Sequence, residues 1–304
     1  VEELTENWQR LEQNWDILFP TSIAGERAID KLKQTILQLA VMGKLVPQDP
    51  SEEPAKNLLE RLEANRDKWL AENSSINAEC KTMIRKLKKV ASPKEPFKLP
   101  KTWECVHLIQ ISQILVDCHN KTAPYVDSGI PIIRTTNIRD RKFKFEDLKY
   151  VNEETYEYWS RRCPPGGGDI IFTREAPMGE AAIVPDGQRW CLGQRTMLIR
   201  PMHGFISKEY LLLALTEPHL LNRASEHAVG ATVKHLRVGN VENLDIPVPP
   251  LNEQNRIVAK FDQLITLCDQ LKKRLQTAQQ TQQHFTDSVA TTALADNTGA
   301  NDGQ

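Results

Sequence analysis

Apolar positions near the start of the chain recur at helical spacing. Three- and four-residue steps join Ile29, Leu32, Ile36 and Leu39, which predicts one buried stripe on a helix. Gly43 is expected to end this helix, and a second helix begins near Pro54, because proline suits the first helical turn. A third, basic stretch covers residues 81–89. Residues 1–96 are therefore predicted to form a helical region, which closes in the linker-like ASPKEP sequence.

Residues 97–250 change to short β-like runs separated by turns. The runs are GIPIIRTTNI, GDIIFTRE, EAAIVPDG and RTMLIRP, and the turn signals are GGGD and PDG. One helix is predicted in this segment, over residues 207–221. The strands are too short and too polar for a doubly wound parallel sheet. The fold class is therefore α+β, with a helical N-terminal region, a mixed α/β domain and a long C-terminal helix.

The C-terminal helix, predicted over residues 251–292, carries a narrow apolar seam. Its positions alternate four- and three-residue steps: Ile257, Phe261, Leu264, Cys268, Leu271, Leu275, Ala278 and, further along, Phe285. A 3.5-residue repeat over about four heptads is typical of a coiled coil, whereas a helix in a globular core has a wider stripe. At about 1.5 Å per residue, forty residues make a rod of roughly 60 Å. Residues 293–304 are predicted to be disordered.

Composition narrows the class without naming a function. The formal net charge is −1 over 304 residues, so any charged surface must be local. The longest apolar runs fall far short of the roughly 18 residues that span a membrane, so no membrane association is expected. The six cysteines lie far apart with no C-x-x-C pair, which indicates reduced thiols, a cytoplasmic setting and no metal site.

The sequence offers little catalytic chemistry. It contains no phosphate-binding G-x-x-x-x-G-K-[ST] or G-x-G-x-x-G motif. Asp127, with Asp147 and Lys149, resembles the acid pattern of a magnesium-dependent nuclease, and this endonuclease is kept as the alternative function. Among 40 acidic and 39 basic residues such a pattern also arises by chance, and solvated surface charge is the preferred interpretation.

A basic segment at residues 133–145, IRTTNIRDRKFKF, is the first candidate for DNA contacts. It holds Arg134, Thr135, Thr136, Asn137, Arg139, Arg141, Lys142 and Lys144 against one acidic residue. Arginine can pair with guanine and asparagine with adenine, while lysine and threonine contact phosphates. A solvated basic loop is the alternative interpretation.

A second candidate lies at residues 230–240, GATVKHLRVGN, where small residues let the backbone approach a phosphate. Its candidate contacts are Thr232, Lys234, His235 and Arg237. Arg174 and Arg195 lie at the ends of strand-like runs and are predicted to project at one rim of the same domain. For Arg195 a structural ion pair is the alternative.

Several motifs, in this order, resemble the DNA-specificity subunit of Type I restriction-modification systems. They are QTILQLAVMGKLVPQDPSEEPAKNLLERL, LPKTWECVHLIQI, IPIIRTTNIRD, GGGDIIFTREAPMGEAAIVPDG, LGQRTMLIRP and VGATVKHLRVGNVENLDIPVPPLNEQNRIVAKFDQLI. The resemblance covers most of the chain. It implies that residues 97–250 are a target-recognition domain for double-stranded DNA and that the seam helix is a spacer. It also implies a non-catalytic chain without cofactor, with S-adenosylmethionine, ATP and Mg²⁺ on partner methyltransferase and restriction subunits.

The chain departs from this family in holding one recognition domain, because neither LPKTWE nor GDIIFTRE recurs after Val289. Two interpretations stay open. The sequence is the first half of a longer subunit, or it is a half-subunit that forms a homodimer through the heptad seam. A dimer about a two-fold axis predicts a palindromic split target.

Overall fold

The computed structural model describes residues 23–226 and 235–299, and it has the predicted α+β architecture with a long C-terminal helix. The helices are α1 Ile23–Val41, α2 Ala55–Asn73, α3 Ala78–Leu87, α4 Glu153–Ser160, α5 Lys208–Leu215, α6 Pro218–Glu226, α7 Val238–Glu242 and α8 Leu251–Gly299. Helix α8 continues beyond residue 292, so residues 293–299, predicted to be disordered, have helical backbone. None of the helices in these two ranges is long and apolar enough to cross a membrane.

Two compact units divide the chain: Leu37–Ala259, and Val1–Ile36 together with Lys260–Gln304. The larger unit contains α2 and α3 as well as all the strands. The division therefore does not coincide with the change of sequence pattern near residue 96.

Within the described residues, the strands lie in four small sheets. They are β1 Glu104–His107, β2 Ser112–Asp117, β3 Ile130–Ile133, β4 Ile138–Arg139, β5 Lys142–Phe143, β6 Lys149–Val151, β7 Ile170–Thr173, β8 Ala181–Ile183, β9 Cys191–Leu192, β10 Thr196–Pro201 and β11 Asp245–Val248. The orders are β1-β11, β2-β10-β7-β8, β6-β3-β9 and β4-β5. All pairings are antiparallel except β3 with β9.

The core of the larger unit lies around the four-stranded sheet. Ile171, Phe172 and Leu198 are fully buried on its central strands, and each such side chain contributes about 1.5–3 kcal/mol through burial. Helix α3 packs against β2, and α5 packs against β8 and β11. These contacts hold the helices on the sheets as one body.

Gly43 ends α1 as predicted, for two physical reasons. Its φ of +69° is costly for any other residue, and a Cβ there would lie 2.6 Å from Pro100 Cγ. Beyond this turn, α2 begins at Ala55 directly after Pro54, also as predicted.

The prediction of a single helix over residues 207–221 is wrong, because the structure has two helices there, α5 and α6. Pro218 has no N–H, so the backbone cannot continue the hydrogen-bond pattern of α5. The Glu217 carboxylate instead accepts hydrogen bonds from the N–H groups of His219 (2.9 Å) and Leu220 (2.8 Å), which starts α6. Helix α4 was also missed, although Asn152 with two following glutamates is a helix-start signal.

A buried polar network fixes the first turn of α8 within the larger unit. Glu253 accepts hydrogen bonds from Trp103 Nε1 (3.0 Å) and Gln48 Nε2 (2.6 Å), and burial raises the pKa of its carboxyl group. Gln254 accepts from the Ser207 N–H (2.8 Å) and donates to the Pro249 carbonyl (3.0 Å). The start of the long helix is therefore held firmly to the mixed α/β body.

Candidate nucleic-acid interface

The basic segment at residues 133–145 folds into a 3₁₀ turn followed by a tight hairpin. The 3₁₀ turn covers Thr135–Asn137, and β4 then pairs with β5 in the register Ile138 to Phe143 and Arg139 to Lys142. The two loop residues, Asp140 and Arg141, have φ values of 52° and 63°. Positive φ at both central positions defines the turn type that suits a two-residue hairpin. The predicted basic loop is therefore an ordered structure, named here the basic hairpin (residues 138–145).

The basic hairpin carries lysines on its outer side. Lys142 and Lys144 are exposed, and Thr136 is exposed in the adjoining turn. Arg139 is half-buried and donates to the carbonyl oxygen of Thr135 at 2.7 Å, and Arg141 is also half-buried. Lys142, Lys144 and Thr136 therefore present flexible donors to the solvent, whereas Arg139 also braces the turn.

Thr135 and Asn137 do not present their side chains, contrary to the prediction for these two residues. Asn137 is 1% exposed, and its amide nitrogen donates to the carbonyls of Lys144 (3.1 Å) and Glu146 (3.5 Å). Its amide oxygen accepts from the Arg134 N–H at 3.1 Å. Each polar atom of this side chain is used to hold the loop, because the hairpin folds back over the 3₁₀ turn. In this structure Asn137 cannot reach a base edge.

Arg134 forms an ion-pair group with two residues of the nuclease alternative, Asp147 and Lys149. Asp147 accepts from Arg134 Nη2 at 3.0 Å and lies 3.1 Å from Lys149 Nζ. Hydrogen bonds from Arg134 and Lys149 hold the pKa of this exposed carboxyl group below its usual range. Two cations thus already neutralise the carboxylate that a metal ion would need. Among the described residues, Asp127 included, no cluster of three or more acidic, histidine or cysteine side chains could hold a metal ion.

Glu180 holds the turn of the basic hairpin through a hydrogen bond. This residue was not identified from the sequence. Its Oε2 accepts from the Asp140 N–H at 2.9 Å, at the first residue of the two-residue turn. Partial burial raises the pKa of this carboxyl group above its usual value. No pattern near Glu180 indicates this contact, since 40 residues separate the two partners along the chain.

Arg195 and His235 meet at one carboxylate. Arg195 Nε lies 2.8 Å from Glu175 Oε1, and His235 Nδ1 lies 3.4 Å from Glu175 Oε2. Both side chains are partly exposed. Arg195 therefore forms the structural ion pair and still presents part of its guanidinium group to solvent. Arg237, just before α7, is exposed. These three residues form the rim cluster.

Arg174 does not project from the surface, contrary to the prediction. It is buried, and its Nη1 donates to the carbonyl of Leu236 at 3.3 Å. Its backbone also joins Arg195 and Leu236 through hydrogen bonds of 2.8 and 3.1 Å. The guanidinium group therefore positions the rim cluster from inside. Thr232 and Lys234 lie outside the described residues.

Aromatic side chains accompany the cations, which sequence reasoning did not use. Phe143 packs edge-on against Trp190 with ring centroids 4.7 Å apart, and the exposed Phe145 lies 6.1 Å from the same ring. Elsewhere, Arg161 lies over the ring of Tyr158 at 4.0 Å. A run of alternating basic and aromatic residues, KFKF, was the available signal.

The seam helix is paired within the smaller unit by the chain's own α1. Lys33 bonds Asp269, Lys272 Nζ lies 2.8 Å from Asp30, and Gln276 Nε2 donates to Glu26 at 3.4 Å. Along these three pairs the residue number decreases in α1 as it increases in α8, so the two helices run antiparallel.

Burial along the predicted seam divides it into two parts. Ile257, Phe261, Cys268 and Leu275 are buried, and Leu264 and Leu271 are half-buried. A Cβ at Gly25 of α1 would lie 2.8 Å from Leu275 Cδ2, so the two helices are closely packed there. Ala278 and Phe285, by contrast, are exposed.

The cysteines form no disulfide bonds in the part of the chain that the structure describes. All six are free, and five of them are buried. Burial raises the pKa of the Cys105 thiol to about 12 and that of the Cys163 thiol to about 11, so neither is a reactive thiolate at neutral pH.

Sequence comparisons with known proteins point to one family. Residues 100–279 match the profile of the Type I restriction modification DNA specificity domain. The chain is 32% identical to the EcoAI Type I restriction enzyme specificity subunit and 32% identical to the EcoEI subunit, both of Escherichia coli; each match covers 97% of this chain and 49% of the relative. The chain thus spans about half the length of these relatives. A crystal structure of the HsdS subunit from Thermoanaerobacter tengcongensis matches with a TM-score of 0.44 and 21% identity, over 75% of this chain and 54% of that one.

Proposed function

Because this chain belongs to the family of Type I restriction modification DNA specificity domains, we propose that it reads double-stranded DNA in a sequence-specific way. It does so as the specificity subunit, or half of one, in a restriction-modification complex, and it recognises one half of a bipartite target. The observation that carries the proposal is the basic hairpin. This ordered two-stranded element holds Lys142 and Lys144 on its exposed side in a chain whose net charge is only −1. A two-stranded ribbon fits the major groove of B-form DNA.

The rim cluster supplies the second set of contacts in this proposal. Arg195, His235 and Arg237 suit phosphate oxygens, because a cation or a polar N–H at the edge of a reading surface fixes the protein on the duplex without reading bases. Glu175 holds two of them in place and limits their reach.

The antiparallel pair of α1 and α8 is proposed to act as the spacer between this recognition domain and a second one. That second domain belongs either to the other half of a longer subunit or to a second copy in a homodimer. In the described residues α1 already fills the seam up to Leu275, so a homodimer would use the exposed extension at Ala278 and Phe285.

The remaining parts of the proposal concern the complex. The chain itself carries no catalysis and no cofactor. It docks the methyltransferase and restriction subunits in the cytoplasm, and those partners bind S-adenosylmethionine, ATP and Mg²⁺. The endonuclease alternative would require Asp147 to bind a metal ion in place of Arg134 and Lys149.

Selection of bound duplexes from a random DNA pool by the full chain tests the proposal. We expect enrichment of one short sequence, whose affinity falls steeply with salt because phosphate contacts supply much of the binding. A single half-site indicates a lone recognition domain, whereas an inverted repeat at fixed spacing indicates the homodimer. Absence of any enriched sequence would refute the proposed function. Cleavage of the pool in Mg²⁺ that is lost in Asp147→Ala would establish the endonuclease instead.

A further inference from the structure

Phe145 is an exposed aromatic side chain at the end of the basic hairpin. It is 56% exposed, although a phenylalanine ring gains about 1.5–3 kcal/mol from full burial. Single exposed apolar residues are common on protein surfaces, so exposure alone indicates nothing. The surroundings of Phe145 are what distinguish it.

The backbone on both sides of Phe145 is tied to one buried side chain. Asn137 Nδ2 donates to the carbonyl of Lys144 at 3.1 Å and to that of Glu146 at 3.5 Å. The Lys144 N–H in turn donates to the Asn137 carbonyl at 2.8 Å. Asn137 therefore clamps the residues before and after Phe145, so the position of its Cα is fixed before any partner binds.

The Phe145 ring contacts one aromatic ring among the described residues. Trp190, which is buried, lies 6.1 Å from the Phe145 ring and also packs against Phe143. Exposed residues of opposite charge adjoin Phe145 in the chain, Lys144 before it and Glu146 after it, and the exposed Lys142 lies on the second strand of the basic hairpin. A fixed apolar group on a hairpin that also carries the exposed Lys142 and Lys144 suits a partner that is negatively charged outside and apolar inside.

A DNA duplex has this chemistry, because its phosphates lie outside and its stacked bases and thymine methyl groups lie within the grooves. Phenylalanine contacts thymine methyl groups, and DNA-bending proteins insert it between base steps. We propose, on the basis of the proposed function, that Phe145 makes an apolar contact with the base pairs of the bound half-site and contributes to sequence discrimination. Lys142 and Lys144 bind phosphates and so bring the ring to the groove.

Substitution of Phe145 separates a base contact from a phosphate contact. The probes are the duplex that the parent chain selects from a random pool and a scrambled duplex of equal length. Phe145→Ala is expected to weaken binding to the selected duplex by about 5- to 150-fold, the range for lost recognition of one base pair in a duplex site. Binding to the scrambled duplex and the slope of log affinity against log salt should not change, because no phosphate contact is removed. Phe145→Leu, which keeps an apolar group, should retain most of the affinity.

Ile76→Ala is the matched control, since it removes another exposed apolar side chain, 83% exposed, from the turn between α2 and α3. It should leave both affinities unchanged. If Phe145→Ala binds the selected duplex within twofold of the parent, the ring serves another partner and the inference is wrong. An equal loss on both duplexes with a smaller salt slope would also overturn it. A parent chain that enriches no sequence would refute the proposed function itself, and this inference with it.

Discussion

At the scale of single residues, Asn137 shows how one residue type suits two different tasks. Asparagine can pair with adenine, and it can equally hold a loop through its own amide. The sequence TTNIRDRKFKF contains no sign of which task applies, because the choice depends on the hairpin folding back over the 3₁₀ turn. Here the Asn137 side chain forms its hydrogen bonds with backbone groups of its own loop.

Replacement of Asn137 by alanine should therefore lower stability before it affects recognition. Asn137→Ala leaves the Lys144 carbonyl and the Arg134 N–H without this partner, which costs about 1–3 kcal/mol in the free energy of unfolding. Thr136→Ala, one residue away and exposed, should change it by less than about 0.5 kcal/mol. Urea unfolding of both variants measures the difference. Equal stability of Asn137→Ala and the parent would contradict the clamp.

For the other site residues, too, the residue type predicts exposure in some cases and fails in others. Lys142, Lys144 and Arg237 are exposed, as their charge suggests, because lysine and arginine are rarely buried without partners. Arg174 is the exception, since its guanidinium group bonds a carbonyl that lies 62 residues away along the chain. Such contacts between distant parts of the chain have no local signal, so Arg174 and Glu180 could be assigned only from the structure.

At the scale of elements, the heptad spacing predicted the long helix and its seam, but not what packs against it. The same pattern fits an intramolecular pair, a missing second half or a second copy. Antiparallel contacts from Lys33 to Asp269 and from Asp30 to Lys272 identify α1 as the partner in the smaller unit. The stripe that predicted α1 and the seam that predicted α8 are therefore two sides of one interface in this unit.

Two positions of the same seam provide a matched test of this pairing. Leu275 is buried where α1 passes closely at Gly25, whereas Phe285 is 70% exposed. Leu275→Ala should lower the free energy of unfolding by about 2–5 kcal/mol, and Phe285→Ala should change it by less than about 0.5 kcal/mol. Thermal unfolding followed by helical circular dichroism measures both. A Phe285→Ala variant as unstable as Leu275→Ala would mean that the extension is also packed, as a homodimer through it requires.

At the scale of the whole molecule, the fold class and the order of its parts followed from changes in pattern along the sequence. Apolar stripes, then short alternating runs, then heptads indicated a helical region, a mixed domain and a spacer helix. The grouping into units did not follow, because it depends on contacts between residues far apart: α2 and α3 belong with the strands, and α1 contributes to both units. The helix break at Pro218 was also missed, because the apolar pattern continues across it.

Because the total charge is near neutral, the effect of local cations on DNA affinity can be separated from the effect of net charge. Lys142 and Lys144 lie on the basic hairpin, and Lys88 and Lys89, which are also exposed, lie at the end of α3. Replacing either pair by alanine makes the net charge −3, so the effect of overall charge on DNA affinity is the same. Only the hairpin pair should remove phosphate contacts, which lowers the slope of log affinity against log salt by about 2. The measurement is a salt titration of binding to selected and scrambled duplexes. Equal slopes for the two double variants would show that the cations of the hairpin act only through the overall field of the protein and do not contact DNA.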